Sequence, residues 1–270
     1  MRLREISKQL NSSLDARILV KHVTGLSDAD LISIDDLPLT ESQHVQLQDC
    51  IKQRLDGRPV AKIIGYKEFY GRDFIVNDDV LDPRPDSEIL IDVVLEWAKG
   101  KNKLSILELG VGSGCLVLTL LSELNGSTAV AGDISSRALD VAKRNAQSLG
   151  LGDRISFVES NWFDNVQGQF DIIITNPPYI NSDVIDELTA DVRDFDPILA
   201  LDGGADGLNP YKVILPQIRT YMKQGGIMAL EHGYDQCGRI KRLIENTGLS
   251  EIRDHQDLGS HDRVISAIHK

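Results

Sequence analysis

Three cysteines in 270 residues, Cys50, Cys115 and Cys237, are too few for a disulfide framework, and their spacing matches no metal site. A reducing cytoplasm is the expected location, with no bound metal. Basic residues are also scarce: 29 Lys+Arg face 41 Asp+Glu, for a net charge of −12. So acidic a surface repels phosphate backbones unless its bases gather on one face, which argues against nonspecific nucleic-acid binding. Long hydrophobic runs are missing as well. Residues 1–10 alternate charge with single apolar side chains and lack the stretch that a secretory signal requires. The most apolar segment, residues 106–124, is broken by Glu108, Gly110, Gly112 and Gly114, so neither export nor a membrane span is expected. There is no internal repeat or low-complexity tract. What remains is ordinary globular material, 41% apolar and 26% charged, long enough for a catalytic domain with a smaller companion.

Apolar residues recur at helical spacing through about Gly57, as in Leu14, Ile18 and Leu19, then Val45, Leu47, Ile51 and Leu55. Residues 1–57 are therefore predicted to form a small helical domain. From Pro59 to Leu81 the pattern turns to short runs of Val, Ile, Tyr and Phe divided at Gly71 and at Asn77, which predicts a β-hairpin linker over residues 58–82. The rest, 83–270, reads as the second domain. Pro83 and Pro85 force an extended path into it, and Asp86 and Glu88 then favour a helix N-terminus. Beyond them, β-rich runs at 104–109, 129–133, 155–158, 170–175 and 227–231 alternate with helical stretches. That alternation predicts an α/β fold with a parallel sheet.

The first of these strands runs into Glu108-Leu109-Gly110-Val111-Gly112-Ser113-Gly114, followed by a helical stretch from Cys115. Glycines at a strand-to-helix turn permit unusual backbone angles and let a ligand approach the backbone and helix N-terminus. The spacing is Gly-x-Gly-x-Gly rather than the Gly-x-Gly-x-x-Gly of pyrophosphate-binding folds, which counts against a dinucleotide. Asp133 ends the next strand about 20 residues on, where a carboxylate accepts from ribose hydroxyls. An adenosine ligand is implied. Glu108 can face the cationic amino-acid end of S-adenosylmethionine, whose sulfonium also gains from a carboxylate-rich pocket. Trp162, just past the third strand, can stack on an adenine.

The fourth strand delivers Asn176-Pro177-Pro178-Tyr179 to the carboxyl edge of the sheet, where open α/β sheets place their ligands. Two prolines fix the backbone and remove two N–H donors, leaving the Asn176 side-chain oxygen and the Pro177 carbonyl to converge on one NH₂ group. Tyr179 offers a flat face to a planar group. An amide nitrogen is a poor nucleophile because its lone pair is delocalised, so two acceptors on its hydrogens are needed to aim that lone pair and to stabilise the charge that grows on nitrogen. No general base is required.

This loop, together with the glycine loop, resembles the class I methyltransferases that modify planar NH₂ groups. The chain as a whole is similar to the bacterial PrmC/HemK protein-glutamine methyltransferases, which act on the Gly-Gly-Gln glutamine of peptide chain release factors. The matching pieces are Gly57-Arg58-Pro59-Val60-Ala61, Gly65-Tyr66-Lys67-Glu68-Phe69-Tyr70, Pro83-Arg84-Pro85-Asp86-Ser87-Glu88, Leu107-Glu108-Leu109-Gly110, Asn176-Pro177-Pro178-Tyr179, Ala200-Leu201-Asp202-Gly203-Gly204 and Glu231-His232-Gly233. The resemblance implies a Rossmann-like, mostly parallel seven-stranded sheet, S-adenosyl-L-methionine as cofactor, and methylation of the glutamine N5 in class I release factors. It also implies cofactor contacts at Gly110, Val111, Gly112, Ser113, Gly114, Asp133, Trp162 and Asn176, substrate contacts at Asn176, Pro177, Pro178 and Tyr179, and docking by the N-terminal domain. Asp82, Asn161 and Asp196 depart from the family pattern. Arg84 reads as a site neighbour or an interdomain clamp, His232 as a partly exposed histidine, and Cys115 as core. A nucleic-acid methyltransferase gripping a flipped base is the competing enzyme reading, and an inactive cofactor-binding protein the non-enzyme one. The acidic charge opposes the first, and the intact Asn-Pro-Pro-Tyr segment opposes the second.

Overall fold

The computed structural model of the chain describes residues 1–34 and 36–270. Polar caps start the helices of the N-terminal region, α1 (Leu3–Leu10), α2 (Ser13–Thr24), α3 (Asp28–Ser33) and α4 (Glu41–Leu55). Ser12, Ser27 and Thr40 each accept a backbone N–H from the first turn of α2, α3 and α4, satisfying donors that the helix itself leaves orphaned. Ile6, Leu19, Leu47 and Ile51 meet in one apolar cluster.

The segment read as the start of a hairpin is helical at α5 (Val60–Ile64). Pro59 precedes it, and Gly65, at φ 83°, ends it with an N–H donated to the Ala61 carbonyl. Val60, Ile63 and Ile64 pack onto the N-terminal cluster, and that burial overrides their strand preference. These helices and residues 189–195 make up one unit, Met1–Tyr66 with Thr189–Phe195.

The second unit is Lys67–Leu188 with Asp196–Lys270. The hairpin proper is β1 (Tyr66–Phe69) and β2 (Arg72–Ile75), and it is not a free linker. Phe69 and Phe74, 1% and 0% exposed, share a core with α6 (Glu88–Ala98), and Asn145 bonds both the N–H and the carbonyl of Ile75. After α6 follow β3 (Ser105–Leu109), α7 (Cys115–Glu123), β4 (Thr128–Asp133), α8 (Ser136–Ser148), β5 (Ile155–Glu159), β6 (Phe170–Thr175) and the short α9 (Ala190–Arg193) of the first unit. The chain closes with α10 (Asn209–Tyr221), β7 (Met222–Glu231), α11 (Cys237–Glu245), β8 (Ser250–Gln256) and β9 (Asp262–Ile268).

Seven strands form one sheet in the order β5-β4-β3-β6-β7-β9-β8. β3 to β7 run parallel, while β9 is antiparallel to both its neighbours. All five expected strands are present. Alternation along each strand sorts the core into two layers: Ile106, Ile172, Ile174 and Ala229 cluster with α6, α7 and α8, whereas Leu107, Leu109, Ile173 and Met228 cluster with α10 and α11. From β3 the chain goes first to β4 and β5 on one side and then returns to β6 on the other. Such a switch point opens a crevice at the carboxyl ends of the strands, and the candidate site lies there.

Candidate active site

A cavity of about 840 Å³ opens at this edge, a size typical of small-molecule sites. The segment after β3 forms one wall through Glu108, Gly110, Val111, Gly112 and Ser113. Gly110, Gly112 and Gly114 all have positive φ, at 71°, 52° and 81°. A Cβ on Gly114 would lie 3.0 Å from Leu118 Cδ1 and 3.4 Å from the Ala142 Cβ, so a side chain there would press on its packed neighbours. Gly114 itself is not part of the wall; it starts α7 just behind Ser113.

Glu108, 2% exposed, lines the cavity and accepts the Val117 N–H at 3.1 Å, which caps the first turn of α7. Burial raises its carboxyl well above the usual range. Asp133, at the end of β4, accepts from the Gly112 N–H and the Ser135 N–H, each at 2.9 Å, and so ties the glycine loop to the start of α8. Burial raises its pKa too, against the pull of those two N–H donors. Both oxygens keep lone pairs for a ligand.

Trp162 lines the cavity beside Gly110 with φ 52°, a conformation that side-chain-bearing residues seldom adopt. The Ser160 hydroxyl holds that turn by donating to the Trp162 carbonyl at 2.9 Å and accepting the Asn165 N–H at 3.0 Å. Asn161, beside it, is exposed and also faces the cavity. Asn176 and Pro178 complete the wall at the end of β6, whereas Pro177 is buried and the Tyr179 hydroxyl is directed at Glu231. Six carboxylates line the cavity, Asp78, Asp79, Asp82, Glu108, Asp133 and Asp202, against the guanidinium groups of Arg84 and Arg137. The balance favours a cationic ligand.

Comparisons with known proteins place the chain in a family. The model of the methyltransferase small domain matches residues 80–192, and that of the PrmC N-terminal domain matches residues 2–65. A release factor glutamine methyltransferase of Agrobacterium fabrum is 38% identical over 257 residues, spanning 94% of this chain and 89% of that protein. The chain belongs to the release factor glutamine methyltransferases. Another member, from Rhodospirillum rubrum, is 40% identical across 94% of this chain and 78% of its own length. Among solved structures, a methyltransferase from Pyrococcus furiosus aligns with a TM-score of 0.57 at 17% identity, over 85% of this chain and 99% of that one, which is a likeness of fold.

Around the Asn-Pro-Pro-Tyr segment this methyltransferase has supports that sequence reasoning missed. Asn176 Nδ2 donates to the Ser87 hydroxyl at 3.4 Å, leaving Oδ1 as the free polar end of the amide. Gln236 donates to the Tyr179 carbonyl at 2.8 Å, and Gly203 donates to the Ile180 carbonyl at 2.8 Å. Ser87 and Gly203 lie in motifs quoted for the resemblance, but nothing in the sequence showed which loop they brace. Arg84 lines the cavity and donates to Asp196 at 2.9 Å, and both residues lie within the second unit. Cys115 lies on the cavity wall rather than wholly in the core, with its thiol pushed up to about 12, first by burial and then by Glu108. His232 is fully buried, not partly exposed, because the strand end that carries it is covered; its Nδ1 donates to the Gly233 carbonyl at 2.8 Å.

Proposed function

We propose that this chain methylates the side-chain amide nitrogen of the Gly-Gly-Gln glutamine in class I peptide chain release factors. It would use S-adenosyl-L-methionine, leave S-adenosyl-L-homocysteine, and work in the cytoplasm without contacting nucleic acid. The carrying observation is Asn176 on the wall of a carboxylate-rich cavity, its NH₂ committed to Ser87 and its Oδ1 left as an acceptor.

The residues present fit the cofactor. Gly110, Val111, Gly112 and Ser113 would let it approach the backbone, with Gly114 behind them shaping the turn, while Asp133 would take the ribose hydroxyls and Trp162 would cover the adenine. Glu108 faces the amino-acid end, where a nearby ammonium would return its buried carboxyl to the ionised form. The cofactor supplies an electrophilic methyl group on a sulfonium. The chain's work is on the other reactant: Asn176 Oδ1 and the Pro177 carbonyl accept the two hydrogens of the glutamine amide and hold its lone pair toward the methyl group. Pro178 and Tyr179 keep the amide plane in place. Both acceptors gain strength as positive charge develops on nitrogen, so they bind the transition state better than the ground state. Once methylated, the nitrogen loses its proton to water, and no base is needed.

The test supplies labelled S-adenosylmethionine to four acceptors: a release factor, the same factor with its motif glutamine replaced, duplex DNA, and ribosomal RNA. Label is expected on the first alone. Equal labelling of the glutamine-replaced factor, or label on a nucleic acid, would overturn the reading.

A further inference from the structure

The Asn-Pro-Pro-Tyr segment has little means of holding itself. Pro177 and Pro178 carry no N–H, so the direction of its carbonyls is set by what grips the two ends of the segment. At the start, Thr175 is fully buried in the sheet between Leu109 and Leu230, and its hydroxyl donates to the Leu109 carbonyl at 2.7 Å. At the far end, the Tyr179–Ile180 peptide is held by both its polar atoms. The Ile180 N–H donates to the Leu201 carbonyl at 3.0 Å, and the Tyr179 carbonyl accepts from Gln236 at 2.8 Å. Gln236, 4% exposed, stands just before α11 and uses its whole amide on backbone groups. Its Oε1 accepts the Gly233 N–H at 3.0 Å, which turns the NH₂ toward the carbonyls of Tyr179 and Gly207, at 2.8 and 3.3 Å.

A planar peptide pinned at its N–H and its carbonyl cannot rotate, and two residues with φ locked near about −65° pass that orientation back along the segment. We propose that Gln236 is a positioning residue for methyl transfer: by fixing the Tyr179–Ile180 peptide it sets the direction of the Pro177 carbonyl. The inference rests on the reading of Asn176 and Pro177 as the acceptors that hold the glutamine amide. Two glycines let the clasp close. A Cβ on Gly203 would lie 2.8 Å from the Tyr179 Cα, and one on Gly207 would run into the Tyr179 carbonyl oxygen and the Gln236 amide nitrogen. An apolar side chain of the same size would fill the place of Gln236. It would also deprive the Gly233 N–H and the Tyr179 and Gly207 carbonyls of this partner, and leave the Tyr179 carbonyl free to turn.

The test uses the full-length protein and an intact release factor. Gln236→Met removes the donor at every pH, so single-turnover transfer is expected to fall at least about tenfold, with cofactor affinity and the KM for the factor within about threefold of the parent. Gln236→Glu restores a donor only while protonated, when its carboxyl can accept from Gly233 and donate to Tyr179. Its rate should stay within about threefold of the parent at about pH 6, where burial keeps the carboxyl protonated, and fall at least about tenfold at about pH 8.5. The nearby titratable groups, Asp206, Glu231, His232, Asp235 and Arg239, are the same in both proteins, so the ratio of the two rates isolates the new carboxyl. A parent-like rate in Gln236→Met, or a Gln236→Glu variant as slow as Gln236→Met at both pH values, would overturn the proposal. If Gln236→Met folds poorly, the two pH values of Gln236→Glu carry the test. A second readout needs no substrate: the carbonyl carbon resonances of Pro177 and Tyr179 should move in Gln236→Met. An unmoved Pro177 resonance refutes the positioning role even if release factors are methylated. A moved one, in a protein whose parent methylates no release factor, keeps the clamp and rejects the substrate.

Discussion

Asp133 does two jobs with one carboxylate. Its oxygens hold the Gly112 and Ser135 N–H groups, and by the proposed reading they also meet the ribose. Asp133→Ala should weaken S-adenosylmethionine binding about 10–100-fold in calorimetry, the loss of a charge-assisted contact of about 1.5–3 kcal/mol. Unchanged affinity in the folded variant would remove the ribose assignment. Asn176→Ala should slow single-turnover transfer by about 10²–10³, the usual cost of one preorganised hydrogen bond, with a melting temperature near the parent's. Glu231 makes a prediction about stability. Below the unfolded carboxyl pKa of 4.5, both states are protonated and nothing is lost. Between there and about 7 the unfolded chain ionises while the folded site keeps its proton, so stability falls as pH rises and levels off above about 7. Glu231→Gln escapes that loss and should be more stable than the parent by about 3 kcal/mol at pH 8, and by far less at pH 5. Urea midpoints at the two pH values check it.

At the scale of elements, the turn between β3 and α7 carries two glycines with similar φ and different surroundings. Gly112 has open space where a Cβ would go, whereas Gly114 would meet Leu118 and Ala142. Both alanine variants incur the left-handed penalty of about 1–2 kcal/mol. Gly114→Ala adds overpacking, and its urea midpoint should fall further than that of Gly112→Ala. Cofactor affinity should rank the other way, since Gly112 is the one on the cavity wall. Equal midpoints would show that the α7–α8 contact yields without cost. The strands tell a related story. β3 to β7 were legible because their apolar runs are bounded by glycine, proline or polar residues. β8 was not legible, because Glu251, Arg253, Asp254 and His255 give this edge strand the composition of a loop. α5 misled in the opposite direction, as Val, Ile and Ile look like strand until their neighbours are known.

For the whole molecule, every cavity-lining residue lies in the second unit, Lys67–Leu188 with Asp196–Lys270. A variant beginning at Lys67 should therefore still bind S-adenosylmethionine with about the parent affinity. The cut must fall there and not after the hairpin, since Phe69 and Phe74 belong to the core around α6. The same variant should lose most activity on an intact release factor if the N-terminal helices dock it, because binding energy remote from the reacting glutamine is what orients that amide. Transfer rates at matched cofactor saturation, with circular dichroism to establish folding, check this. Equal rates would show that docking does not depend on residues 1–66.

The sequence by itself determined what depends on local pattern. Glycine spacing, the Asp133 interval, the Asn-Pro-Pro-Tyr segment and the alternation of runs are short-range features, and each carries its chemistry wherever the chain puts it. Only the tertiary structure decided which distant groups share a hydrogen bond. Asn176 meets Ser87 and Tyr179 meets Glu231, so the Asn-Pro-Pro-Tyr segment is tied to two distant places along the chain that no spacing relates to it. The sheet brings them together because β6 and β7 are parallel neighbours that end at one edge, which the residues just before α6 also reach. Burial then does what sequence cannot: it moves Glu231 to about 7 and raises Glu108, because charge is costly where water is excluded.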